Sequence, residues 1–196
     1  MPRVEPMKRE QLAEFEPFFE MIEGNMGFVP NSMLTLGRKP EILRAFAALT
    51  SQVVLEGAVS RQLKQLVAFV ASNAAGCRYC QAHTSHSAHA IGISEEKIAA
   101  ALEFETSDLF DDRERAALRV ARDAAFVPNA TTDAQFEDLH RYFDDDAIVE
   151  IVAVISMFGW LNRWNDTMAT ELEASPRAFA EKALGEQGWE VGRHAG

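Results

Sequence analysis

The chain has 196 residues, enough for one compact unit or two small helical halves sharing a core. Apolar residues at 47% and charged ones at 25% supply an ordinary globular interior that needs no disulfide staples. A formal net charge of −11 sets the surface against phosphate, so nucleic acid and anionic membrane are poor partners.

In chain order, the 3.6-residue apolar period predicts a first helix over about Lys8 to Ile22, stopping at Gly24-Asn25. Phe28-Val29-Pro30-Asn31-Ser32 reads as a turn, with Asn31 or Ser32 capping a short helix to Leu36. Pro40 opens a helix to about Glu56, which Gly57 stops. Ser60 caps the next, which runs to about Ala75 with Gly76 at its end. Cys77 then begins a helix reaching Ala90, and Gly92 breaks it. Ser94 caps a helix through Phe104, and Asp108 to Asp112 is a solvated connection.

Helices over about Arg113 to Ala125, Thr132 to Tyr142 and Asp145 to Glu173 follow, the last with acidic residues at its positive end. Beyond Ser175-Pro176 a less ordered tail is expected. No strand-like alternation occurs, so the expectation is a single all-α unit. Residues 1–110 would carry the cysteine helix, 111–175 the later helices and 176–196 the tail.

No apolar run approaches the roughly 18 to 20 residues of a bilayer span, and Ile151 to Asn162 reads as a buried helix. The start Met1-Pro2-Arg3-Val4-Glu5 lacks the basic-then-apolar order of a secretory leader. A cytoplasmic protein without membrane contact is expected.

The two cysteines stand three apart, in Cys77-Arg78-Tyr79-Cys80. Such a pair closes almost no loop and so adds little stability, which leaves redox chemistry or metal binding. Structural zinc ordinarily takes four ligands, and no second cysteine pair exists, so neither a metal nor a cofactor is expected. Cys77, Cys80, His83, His86 and His89 form a ladder in steps of three, so neighbours along it can touch. A helix N-terminus stabilises a thiolate, and a nearby imidazole can take its proton. The polar run Asn162, Arg163, Asn165 and Asp166 reads first as an interface or core network and second as a pocket wall. His140 and His194 read as surface residues.

At these residues the chain resembles the carboxymuconolactone decarboxylase / alkyl hydroperoxidase D-like family, in particular its peroxidase-related branch. The resemblance is carried by Gly27-Phe28-Val29-Pro30-Asn31, Pro40-Glu41-Ile42-Leu43 and the block Leu66 to Ala90. Arg113-Glu114-Arg115-Ala116-Ala117 and Asn162-Arg163-Trp164-Asn165-Asp166 extend it. It implies a multi-helix bundle of the alkyl hydroperoxidase D-like type that forms homo-oligomers: trimers, hexamers or dimers. It also implies a peroxidase-like cycle on a small hydroperoxide, in which Cys80 attacks and Cys77 resolves. A thiol reductant protein, lipoyl-bearing or similar, would recycle the disulfide.

Two positions depart from the family pattern. Its histidine, four residues past the second cysteine, is Thr84 here, with His83 and His86 to either side. Its relay glutamate is Gln65, which can orient a water or an imidazole but accepts no proton at neutral pH. The candidate site is therefore Cys80, Cys77, His83, His86 and Gln65. Lactone decarboxylation through acid–base groups and a non-enzymatic thiol redox sensor are the alternatives.

Overall fold

The computed structural model describes residues 1–196 and is helical throughout, without strands. The helices are α1 (Glu16–Met26), α2 (Asn31–Leu36), α3 (Pro40–Thr50), α4 (Arg61–Ala74) and α5 (Arg78–Ala90). They continue with α6 (Glu95–Ala100), α7 (Asp112–Ala124), α8 (Asp133–Leu139), α9 (Asp145–Met168) and α10 (Ala174–Leu184).

α4 is the central rod. Its residues from Leu66 to Ser72 are all buried, and it packs against α5, α7 and α9. Small side chains such as Ala68, Ala71, Ala82, Ala117 and Ala121 are fully buried and let the helix axes approach closely. One contiguous apolar cluster runs from Leu12 to Trp189 through both halves of the chain. α9 has the length and hydropathy of a membrane span, but it packs on α4, α5 and α7 and buries Ile148, Ile151, Val154 and Ile155 among them.

Four elements differ from the sequence expectation. The first predicted helix is split into a 3-10 segment, Arg9–Phe15, and α1, because Pro17 has no N–H to give and clashes with the preceding turn. α1 also runs past Gly24 to Met26 and ends at Gly27, whose φ of 84° is the left-handed stop. α3 ends at Thr50 and continues as a π turn, Ser51–Leu55. The loop after it is fastened by Glu150, which accepts from the Ala58 and Val59 amides at 2.8 and 3.1 Å. Lys64, 2% exposed, pairs with Glu150 at 3.0 Å and donates to the Glu56 carbonyl.

The most consequential difference lies in the last predicted helix. α9 ends at Met168, with Ala169 in a left-handed conformation, and does not reach Glu173. Residues 169–173 turn back, and α10 then packs along α5. The expected loose tail is thus a folded strap: its Trp189 and His194 are buried, and the Trp189 indole N–H reaches the Arg78 carbonyl at 3.3 Å.

Candidate active site

Gly76, at φ 77°, closes α4 and turns the chain at once into α5. Cys77 is the N-cap of α5, and its Sγ accepts from the Cys80 amide at 3.5 Å. The sulfur therefore takes the place of a capping oxygen at the positive end of the helix. Cys80, in the first turn, is buried, and the Asn165 Nδ2 of α9 donates to its Sγ at 3.4 Å. Both cysteines are free thiols.

Cys80 opens onto a cavity of about 140 Å³. Its apolar wall includes Phe18, Met33, Phe46, Met157, Phe158 and Leu161. Polar groups reach it from Gln65, His83 and Asn165, together with Tyr79 and Ser32. Cys77 is not among the lining residues. The Gln65 Oε1 and Asn165 Oδ1 atoms are buried without a hydrogen-bond partner, the condition of groups free to meet a bound molecule.

The chain around Glu173 organises the next layer. Its carboxylate accepts from the Asn31 amide at 2.5 Å, the Tyr79 hydroxyl at 2.9 Å and His83 Nε2 at 2.6 Å. Burial alone would raise the Glu173 pKa, but the His83 charge and the His83 and Asn31 donors hold it below the ordinary carboxylate value. His83 stacks on Tyr79 with centroids 4.2 Å apart and meets Phe28 edge-on at 5.3 Å. Tyr79, fully enclosed beside the carboxylate, is pushed well above its usual pKa, first by burial and then by the Glu173 charge.

The two thiols separate electrically. Cys77 is lowered to about 6, first by hydrogen bonding from Cys80, against burial, and then by His194. Cys80 is raised well above the ordinary thiol value by burial and by its Cys77 neighbour, with Asn165 opposing. The pair thus gives up one proton readily and holds the second.

Of the expected site residues, Cys80, His83 and Gln65 meet at the cavity, and Cys77 lies directly behind Cys80. His86 does not join them. It is turned towards Phe28, Phe179 and Ser175, whose Oγ is 3.0 Å from Nε2. Burial and the neighbouring His83 and His89 lower its pKa. Thr84, in the family's histidine position, spends its hydroxyl on the Cys80 carbonyl at 2.7 Å.

Glu173, Asn165, Asp166 and His194 complete the surroundings, and sequence reasoning gave none of them a firm role. His194 was expected at the surface, yet it is 1% exposed because the strap folds over α5 and the end of α9. Cys77 Sγ, a carboxylate oxygen of Asp166 and a ring nitrogen of His194 lie within 4.8 Å of one another. The one signal that could have revealed this layer is Ser175-Pro176. A proline in a first turn starts a helix, and the preceding residues then have to turn.

The sequence model of the Carboxymuconolactone decarboxylase family matches residues 40–123, which include Gln65, Cys77, Cys80 and His83. The solved structure of the debrominase Bmp8, as its C82A variant in complex with 2,3,4-tribromopyrrole, is 38% identical with a TM-score of 0.88. That likeness covers 92% of this chain and 96% of the other. This chain belongs to the carboxymuconolactone decarboxylase family.

Other similar proteins are more distant. A peroxidase-related protein from Ralstonia eutropha JMP134, described as an alkylhydroperoxidase AhpD core, is 24% identical with a TM-score of 0.76. It covers 89% of this chain and 94% of its own, a likeness of fold. The Escherichia coli K12 protein YnjA is 33% identical over 92 residues, 47% of this chain and 50% of YnjA, so the match spans half of that relative. The alkyl hydroperoxidase D-like helical fold expected from the sequence is the one observed. Asn165, Glu173 and His194 lie outside the segment that the family model matches.

Proposed function

We propose that this family member is a thiol-dependent, peroxidase-like oxidoreductase that reduces a compact organic hydroperoxide at Cys80. The supporting observation is placement: Cys80 faces an apolar cavity while Cys77, the more acidic thiol, sits behind it within hydrogen-bonding reach. Charge moves to Cys80 when its proton passes to the Cys77 thiolate, and the Asn165 amide and the helix N-terminus stabilise it there. The Cys80 thiolate attacks the outer peroxide oxygen, the O–O bond breaks, and the alkoxide takes the proton that Cys77 had accepted and leaves as an alcohol. Cys77, ionised again by that transfer, then attacks the Cys80 sulfenic sulfur, and hydroxide leaves as water with the proton that Cys77 first released. In sum, two thiols and ROOH become a disulfide, ROH and water.

An apolar wall favours an alkyl or aryl hydroperoxide over hydrogen peroxide, and the unpaired Gln65 Oε1 can accept its O–H. Because Cys77 is fully buried, the recycling thiol must come through the cavity to Cys80, which fits a slender dithiol such as a lipoyl arm. The reaction belongs in a reducing compartment, in keeping with a cytoplasmic setting. An apolar strip on α3 and α9, with Ile42, Leu49 and Trp160 exposed along one groove, supports assembly with further copies of the chain.

The test is single-turnover oxidation by cumene hydroperoxide. Cys80→Ser consumes none, and Cys77→Ser, which lacks the acceptor for the Cys80 proton, reacts more slowly and stops at a sulfenic acid that dimedone traps. Wild-type turnover in both variants rules the reading out. Likeness to the debrominase favours a second reading, in which Cys80 takes a halogen from a halogenated aromatic and Cys77 displaces halide from sulfur. Two thiols and Ar–Br then become a disulfide, ArH and HBr, and bromide release from a bromopyrrole separates the two. Muconolactone turnover in the double cysteine variant would point instead to decarboxylation through acid–base groups.

A further inference from the structure

His194 comes from the strap after α10, and its ring is fixed at two points. Nδ1 lies 2.7 Å from the Thr170 carbonyl oxygen, which can only accept, so Nδ1 carries a proton. In the neutral ring Nε2 is then a bare lone pair. It stands 3.2 Å from the Asp166 carboxylate, a repulsive contact that a proton on Nε2 turns into a charge-assisted hydrogen bond. The Cys77 thiol, in the same 4.8 Å cluster, can supply that proton.

We infer that His194 is the proton acceptor of Cys77: the Sγ–H bond breaks, an Nε2–H bond forms, and a thiolate–imidazolium pair results. Thr170 orients the ring, and Asp166 stabilises the imidazolium. His194 is accordingly raised above its usual value, since burial is outweighed by its bonds to Cys77 and Thr170. The other groups facing the pair are the Cys80 thiol, which stabilises the Cys77 thiolate, and the Tyr79 ring, 5.7 Å from His194. Arg193 and Arg78 are engaged elsewhere, with the Asp166 carbonyl and Gln81.

The strap holds this geometry through the Leu172 amide on the His194 carbonyl at 3.0 Å and the Trp189 indole on Arg78. The role given to this pair, a resolving thiol kept ionised away from substrate, rests on the dithiol cycle proposed above. Its test reads titration and not turnover, so it stands or falls separately from the choice of substrate.

In a Cys80→Ser background the ultraviolet absorbance of the Cys77 thiolate is followed against pH, with and without His194→Asn. Loss of the acceptor raises the midpoint by at least about one pH unit, a tenfold loss of thiolate below it. An unchanged midpoint overturns the assignment. Should the Asn variant not fold, nitrogen-15 NMR of the imidazole in wild type and Cys77→Ser gives the reciprocal readout. The His194 midpoint falls when the thiolate is removed, and an unshifted midpoint overturns the inference equally.

Discussion

Replacing Glu173 by Gln keeps the shape of the site and removes one charge. The carboxylate receives three donors, from Asn31, Tyr79 and His83. Charge assistance roughly doubles a hydrogen bond of about 1 kcal/mol, so neutralising this acceptor costs about 2–3 kcal/mol at pH 7. In a chain of this size each kcal/mol moves the melting midpoint by about 2–4 °C, which gives a fall of about 4–12 °C. The pH dependence fixes the cause. Because folding depresses the Glu173 pKa, its contribution is complete above the unfolded carboxylate value, about 4.3, and is lost as pH falls through the lower folded value. Thermal unfolding by circular dichroism at pH 7, 5 and 3 should show wild type above Glu173→Gln at the first two and the gap closing at the third. Equal midpoints at pH 7, or a gap that persists unchanged at pH 3, would mean that the Glu173 charge does not stabilise the fold.

Three other outcomes follow from the same geometry. Asn165→Leu removes the donor on the Cys80 sulfur, and a bond to a thiolate worth about 1.5–3 kcal/mol makes attack on substrate about ten- to a hundredfold slower. Stopped-flow thiol oxidation measures this, and an unaltered rate removes Asn165 from the account. With Cys77 at about 6, disulfide closure is flat above pH 7 and falls about tenfold per unit well below 6, read by quenched-flow thiol titration. A constant rate from pH 7 to 5 contradicts it. Leu49→Glu places a charge on the α3–α9 strip and lowers the mass found by light scattering; an identical mass argues against that strip as an interface.

The all-helical architecture was legible because its signals are local. Ser60, Ser94, Thr132 and Asp144 each accept from an amide three residues on, as residues of these types do at helix starts. Gly76 marks the joint between α4 and α5 for an equally local reason, its positive φ. Cys77, Cys80 and His83 were legible from spacing on a single helix. Asn165, Glu173 and His194 were not, since they reach the same site from 85 or more residues away through tertiary folding. Continuing α9 through Glu173 hid two of them. The apolar period runs on past Met168, and only the left-handed Ala169 turns the chain, a conformation for which alanine gives no warning. Gln65 in the family's glutamate position looked like the loss of an acid. A carboxylate nonetheless stands on His83, supplied by Glu173 from the turn between α9 and α10.

Mass spectrometry of the fully reduced protein after one equivalent of cumene hydroperoxide reads the Cys77–Cys80 cycle itself. The dithiol cycle gives loss of two hydrogens per chain, a peptide crosslink between Cys77 and Cys80, and one equivalent of alcohol. Alcohol formed while both thiols stay free, or a crosslink only between separate chains, would contradict it.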